Sequence, residues 1–397
     1  MDNSNDKGNE GEAFVNELAY NTYFKYWCYP NPRDINGDGK EICDLLILFR
    51  DIAIIISVKN HHYEGNYDRY KKKVIEKSTN QLNGAFRKLF KSDREIYIQH
   101  PDREPELFKP ENYNQVFRIT INVGEQFEYY SLGENLNDKG FVSIFNKDTF
   151  KAIIYELDTV KDLVEYLKER EKLLSADKIL TINCQEKDIL AEFVTNARSF
   201  PIDFASNQIK EIEVNLNGAW DKYIASKALQ RKKEADKASY FIDELVKNDV
   251  LKLPNGEFLA KELMNLSRFE RRMLAKSLFS LIAKYENTGE EIFARRYVSY
   301  NGIGHLLIYY PPNVPEKDVD EVVQIALPIY AYKSGYKESE LILLAATDNM
   351  KQWKFGFYTA EGTTEEGKRY LEKAIKHFGW FKNEQAIYYH ENEYPDE

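Results

Sequence analysis

Residues Glu41–Lys59 read EICDLLILFRDIAIIISVK, two apolar runs separated by Arg50-Asp51. A two-residue reversal at Arg50-Asp51 pairs Phe49 with Ile52 and, counting outwards, Asp44 with Ser57 and Ile42 with Lys59. Because strand side chains alternate between faces, Asp44, Ser57 and Lys59 then share one face of the hairpin. A carboxylate, a hydroxyl and an ammonium at the end of an otherwise apolar hairpin are costly to bury unless they have partners or a chemical task. The alternative is an ordinary buried hairpin with an Asp and a Lys at its rim.

An acid on one strand followed by an acid-x-Lys triplet on the next is the pattern of the PD-(D/E)XK, or restriction-endonuclease-like, nuclease superfamily, which this stretch resembles through Asp44 and Ser57-Val58-Lys59. It departs at Ser57, where that superfamily usually carries Glu, Asp or sometimes Gln. The resemblance implies an α/β fold: a restriction-endonuclease-like N-terminal domain, with a mixed sheet flanked by helices, at 1–150. A mainly helical connecting region at 151–290 and a second α/β domain at 291–397 follow from the pattern of the later segments. It also implies a metal-dependent endonuclease acting on DNA. Mg²⁺ or Mn²⁺ is then held by Asp44, the Val58 carbonyl and Glu12, with Lys59 acting on the attacking water or the phosphate. Ser57 is left as a weak neutral ligand, and Glu41 as the reserve acid. Three residues before Asp44, Glu41 faces the other way in a regular strand, and only a bulge or loop turns it inward.

Phe14, Val15, Leu18, Ala19, Tyr23 and Tyr26 mark an amphipathic helix over 9–27, entered through Gly8 and Gly11 with Glu12 in its first turn. Glu12 matches the acid that this superfamily often draws from a preceding helix; an acid favoured by the helix dipole is the plainer reading. A second helix, about Tyr70 to Phe90, carries Gln81, which matches a helical Gln beside the site in several branches. Residues 69–94 hold nine Lys or Arg against two acids, a surface suited to phosphate or a mixed-charge helix face. Gln81-Leu82-Asn83-Gly84-Ala85, Glu156-Leu157-Asp158-Thr159-Val160 and Tyr166-Leu167 extend the resemblance to a widespread group of bacterial proteins with this core, from which a defence role is the expectation.

Other patterns carry less. Asp34-x-Asn36-x-Asp38-Gly39 imitates a calcium loop but has Leu45 where the twelfth-position Glu belongs, so it reads as a turn. The adjacent His61-His62 diverge and do not share a metal. Arg268, Arg271 and Arg272 on one helical turn suit either a phosphate or, more simply, a solvated face paired with nearby acids. QVFRITIN at 115–122 and FVSIFN at 141–146 read as strands. The C-terminal region has no nucleotide loop, zinc motif or nucleophile elbow, and is assigned to binding a protein partner, another copy of the chain, or substrate.

Composition sets the outer limits. A length of 397 residues with 43% hydrophobic and 14% aromatic content supports two full cores. A net charge of −10 argues against a protein that coats nucleic acid non-specifically, and three scattered cysteines argue against a disulfide framework. No apolar run approaches the roughly 20 residues of a membrane span. With a polar N-terminus, the expectation is a cytoplasmic protein without a membrane partner. A nuclease fold that binds nucleic acid or a protein without cutting is the competing functional reading, and Ser57 is the residue that favours it.

Overall fold

A computed structural model describes residues 3–124, 133–135, 140–175, 179–201, 211–286, 289, 291–298, 302–381 and 391–396. The chain is mixed α/β and forms two compact units, Met1–Ser226 and Lys227–Glu397. Their boundary falls inside the helical region read from the sequence as a connector. The early helices of that region pack on the sheet of the first unit, and its last helix packs on the sheet of the second.

In the first unit the strands are β1 (Cys28–Pro30), β2 (Leu45–Phe49), β3 (Ile52–Lys59), β4 (Ile96–Ile98), β5 (Glu106–Phe108), β6 (Gln115–Asn122), β7 (Gly133–Asn135) and β8 (Phe141–Asn146). Six of them make one mixed sheet in the order β1-β2-β3-β6-β8-β7, while β4 and β5 form a separate hairpin. β2 runs antiparallel to β1 and β3, whereas β6 runs parallel to both β3 and β8. A central strand covered on both faces needs a continuous apolar run rather than alternation, and IAIIIS in β3 supplies it. Arg50 takes φ +51°, the left-handed geometry that so tight a reversal demands. Asp51 then anchors the turn by accepting the Gln115 side-chain amide at 2.7 Å.

One face of the hairpin, with Leu46, Leu48, Ala53 and Ile55, packs against Val74, Leu82, Ala85 and Leu89. Those residues lie on a continuous helical stretch: α2 (Tyr67–Tyr70), a π-helical turn (Lys71–Glu76) and α3 (Lys77–Phe90). On the other face lies α1 (Asn3–Asn21), close enough that a Cβ on Gly11 would touch the Val58 side chain at 3.8 Å. The helix runs through Gly8 and Gly11 instead of starting at them, and it ends at Asn21 rather than near 27. Behind β8 come α4 (Lys147–Glu156), capped by the Asn146 side chain, α5 (Val160–Ser175), capped by Thr159, and α6 (Glu186–Thr195).

The second unit is built on a four-stranded sheet of β11 (Phe293–Val298), β12 (Gly304–Tyr309), β13 (Glu340–Ala346) and β14 (Trp353–Thr359), after a small parallel pair, β9 (Ile179–Ile182) and β10 (Glu211–Val214), in the first unit. β12 and β13 are parallel, joined through the helix Glu316–Ser334, which buries Ala326, Leu327 and Tyr330 against Leu306, Ile308 and Leu343. The helix Arg268–Tyr285 packs against β11 and β12. Its three arginines are neither a solvated face nor an open phosphate site. Arg271 and Arg272 are wholly buried, Arg268 and Arg271 pair with Asp243, and Arg272 pairs with Asp236 at 3.1 Å and donates to the Asn392 carbonyl at 2.7 Å. The acids that neutralise them come from two earlier helices, Lys227–Asp236 and Tyr240–Asn248, and the Asn392 carbonyl comes from the C-terminal segment. Among the described residues no helix is long and apolar enough to cross a membrane.

Candidate active site

The β2–β3 register runs from Phe49↔Ile52 to Leu45↔Ile56, so the next step outwards sets Asp44 against Ser57. β2 stops at Leu45, and the chain before it leaves strand geometry. Asp44 there closes the ladder with its side chain: Oδ2 accepts the Val58 N–H at 2.6 Å, and its own carbonyl accepts the Asn31 N–H at 2.9 Å. Lys59 Nζ lies 3.9 Å from Asp44 Oδ2, donates to Ser57 Oγ at 2.7 Å and to the Val58 carbonyl at 3.0 Å. The lysine side chain is 14% exposed. Burial pulls its pKa below the ordinary lysine value; the Asp44 and Glu41 carboxylates oppose that shift and the nearby Lys77 ammonium adds to it.

Glu41 joins this group through irregular backbone. It pairs with Arg33 in an isolated antiparallel bridge, and residues 42–44 make no strand, which frees Glu41 from the alternation that would turn it away. Its carboxyl is raised above the ordinary glutamate value, first by partial burial and then by the charge of Asp44, while the Arg33 and Lys59 cations oppose the shift. Two carboxyl groups this close repel when both are ionised, and a proton or a cation between them relieves the repulsion.

The other expected residues divide. Glu12 is exposed and lies in the interior of α1, so the first-turn position expected for it does not hold. The acid of α1 that reaches the end of β3 is Glu10, which accepts from Asn60 Nδ2 at 3.1 Å and pairs with Lys147 at 3.3 Å. The Val58 carbonyl is at the site but already accepts the Lys59 ammonium. Gln81 is exposed on α3 and lines an open groove of about 450 Å³ together with Lys72, Glu76, Lys77 and Asn80. The structure thus brings together Asp44, Ser57, Lys59 and Glu41, sets Gln81 in the adjoining groove, and leaves Glu12 on an exposed helix surface. The basic count over 69–94 marked the groove only as a region, and no local signal singled out Lys72 and Lys77.

Asn122, the register partner of Lys59, fixes the chain as it leaves β3. Its amide accepts the His61 N–H at 3.0 Å and donates to the His61 carbonyl at 2.9 Å. Gly124 is required beside it, because a Cβ there would come within 2.4 Å of that carbonyl oxygen. The calcium-loop imitation is filled by cations of the chain itself. Buried Asp34 pairs with Arg94, and Lys88 bridges Asp34 at 3.7 Å and Asp38 at 2.8 Å.

Among the described residues no group of three or more His, Cys, Asp and Glu side chains is arranged to hold a metal ion. The donor set fits a lighter requirement: Mg²⁺ is commonly held by one or two carboxylates, its other positions going to water and substrate phosphate. Asp44 and Glu41 supply two carboxyl groups, and the charge of Asp44 raises the pKa of Glu41. No known protein family, curated protein or solved structure matches the chain.

Proposed function

We propose that the first unit is a divalent-metal-dependent phosphodiesterase of the restriction-endonuclease-like kind, acting on DNA, with Asp44 and Glu41 as the metal-holding carboxyls and Lys59 as the catalytic ammonium. The observation that carries the reading is the meeting of Asp44 and Lys59 at 3.9 Å on the polar end of an otherwise apolar hairpin. The sheet order, with an antiparallel β2–β3 pair continued by parallel β6 and β8, and the helices on both faces of the hairpin support the same architecture.

Asp44 and Glu41 would hold a divalent cation, which would supply a more acidic water and positive charge for the scissile phosphate. Lys59 has the part that belongs to the chain. Its ammonium is partly desolvated, so its charge acts in a medium of lower dielectric than bulk water and favours the extra negative charge of the pentavalent phosphorus. Ser57 and the Val58 carbonyl hold the ammonium in place beforehand, which removes the cost of orienting it during reaction. Hydrolysis adds water across one P–O bond, leaving a phosphate monoester and a free hydroxyl.

The competing reading, a nuclease fold that binds without cutting, has Ser57 behind it, since a hydroxyl stands where a second strand carboxylate is usual and the lysine is engaged by it. Incubation of the purified protein with supercoiled plasmid and single-stranded DNA in Mg²⁺ or Mn²⁺, and then with EDTA, separates the two. Metal-dependent nicking abolished by EDTA is the expected result, and intact DNA under every metal condition favours the binding protein.

A further inference from the structure

The groove beside Lys59 is built by an irregularity in the helix that covers the site. Lys71–Glu76 forms i→i+5 bonds between α2 and α3. Lys72 and Lys77, five residues apart, would point about 140° away from each other on a regular α-helix. A π-turn takes up the additional residue, so positions five apart come nearly into line, and such turns are frequent at functional sites. Both lysines accordingly line one groove, followed by Asn80 and Gln81 at the three- and four-residue spacings from Lys77 that keep to one helix face.

The charges of this segment are left open. Lys71, Lys72, Lys73 and Lys77 are all exposed, and among the described residues none of them makes an ion pair. Some exposed lysines elsewhere are paired three residues along the chain, as Lys172 is with Glu169, Lys237 with Glu234 and Lys247 with Glu244. One acid, Glu76, lines the groove against two ammonium groups, and the Asn80 and Gln81 amides add neutral donors. A buried hydrogen bond ties the groove to the catalytic hairpin. The Ser78 hydroxyl meets the Thr120 hydroxyl at 2.7 Å, and Thr120 is the register partner of Ser57. Lys77 is near enough to Lys59 for the two charges to be felt by each other.

We propose that this groove seats two successive backbone phosphates of duplex DNA next to the scissile one, with Lys72 and Lys77 as their positioning cations and Asn80 and Gln81 as donors to the same strand. The proposal rests on the nuclease reading of the Asp44–Lys59 site. Two unpaired ammonium groups at a fixed spacing suit phosphates in sequence, and their contacts position a strand without selecting its bases.

The test is binding of a fluorescent 30-base-pair duplex in EDTA, read by anisotropy over a series of salt concentrations. Each phosphate contact contributes about 0.9 to the slope of log K against log salt. A Lys72→Gln/Lys77→Gln protein should therefore lose roughly 2 from that slope and bind at least about tenfold more weakly at low salt. Lys72→Arg/Lys77→Arg should keep the wild-type slope. Lys237→Gln/Lys247→Gln, which removes the same net charge from paired lysines of the second unit, should also keep it. Thermal melting of each variant checks the fold. An unchanged slope in the Gln pair, an equal fall in the control pair, or a wild type that does not bind the duplex overturns the proposal. Cleavage is scored separately. A wild type that binds through these lysines but cuts under no metal upholds the groove and removes the nuclease reading. One that cuts, while the Gln pair binds as wild type does, overturns the groove alone.

Discussion

The Lys59 ammonium donates to the Ser57 hydroxyl at 2.7 Å and stands 3.9 Å from the nearer oxygen of Asp44. The hydroxyl lies two residues from Lys59 on the same strand face and gives it a neutral acceptor, so Asp44 is the leading carboxylate that compensates the lysine, with Glu41 a weaker second. Removal of the three side chains should therefore have unequal effects.

Asp44→Ala and Lys59→Ala should each lower the cleavage rate by on the order of a hundredfold or more, the usual cost of deleting a preorganised charge at such a centre. Ser57→Ala should cost less, about tenfold or under, because one neutral hydrogen bond to the ammonium is lost and no charge is removed. Ser57→Glu should lower the Mn²⁺ concentration needed for half-maximal rate by restoring a carboxylate. Cleavage rates over a Mn²⁺ titration, with melting temperatures alongside, check all four; cleavage at the wild-type rate by Asp44→Ala would refute the mechanism.

Glu41→Gln separates the metal-holding role from a structural one. Removing one of the two proposed carboxyl ligands should raise the Mn²⁺ requirement by about tenfold, since ligand charge count tunes affinity. The folded-state pKa of Glu41 is raised, so the native protein binds more protons than the unfolded chain between the two values. This site's contribution to stability is present at low pH and lost as pH rises through that interval. At pH 7 the Gln variant, free of that penalty, should melt no lower than wild type. A Glu41→Gln protein that melts markedly lower and keeps the wild-type Mn²⁺ requirement would assign Glu41 to structure.

How much of this was legible follows from where each signal lies. The hairpin register was readable because a two-residue turn and strand parity leave one pairing that buries both apolar runs, and β6 and β8 fall on the stretches 115–122 and 141–146 read as strands. Glu41 was readable only as a reserve, since its nearness to the charges of Asp44 and Lys59 depends on irregular backbone at 42–44 that no residue type announces. The helix start was misplaced because glycines at 8 and 11 suggest an end, yet Gly11 faces Val58, where the lack of a side chain permits close packing. The π-turn was illegible for another reason: five-residue spacing has no compositional mark. The arginines of 268–272 read as surface because the partners that permit their burial, Asp236, Asp243 and the 392–393 carbonyls, are distant in sequence.

His305 in β12 of the second unit is fully buried, and that burial lowers its pKa from 6.5 to about 4. A depressed histidine stays neutral in the native state while the unfolded chain takes up a proton below its ordinary value. Stability is complete above about pH 6.5 and falls as pH drops towards 4, by on the order of 3 kcal/mol across the window. Denaturant titrations of wild type and His305→Phe at pH 7.5, 6 and 4.5 check this. The Phe variant should lose less stability between the first and last pH, and parallel losses would show that other groups set the acid limit.

Arg170 and Glu186 join α5 to α6 through two parallel hydrogen bonds, Nε to Oε1 at 2.6 Å and Nη2 to Oε2 at 2.8 Å, with both side chains 0% exposed. Ser143 of β8 accepts a further bond from Arg170 at 3.1 Å, the Tyr166 hydroxyl donates to Glu186, and the guanidinium stacks over Phe145 at 4.5 Å. Taking either partner away strands a charge out of reach of water, whereas taking both leaves neutral groups of similar volume. Arg170→Met or Glu186→Leu alone should destabilise the first unit by roughly 3–5 kcal/mol, and the double variant should recover a large part of that loss. The single changes should also weaken the hold of α5 on β8, so amide exchange there should quicken more than at the β2–β3 hairpin. Urea unfolding of the four proteins completes the double-mutant cycle. Additive losses would mean that the pair acts through separate contacts with Ser143, Tyr166 and Phe145 and not through its own charge balance.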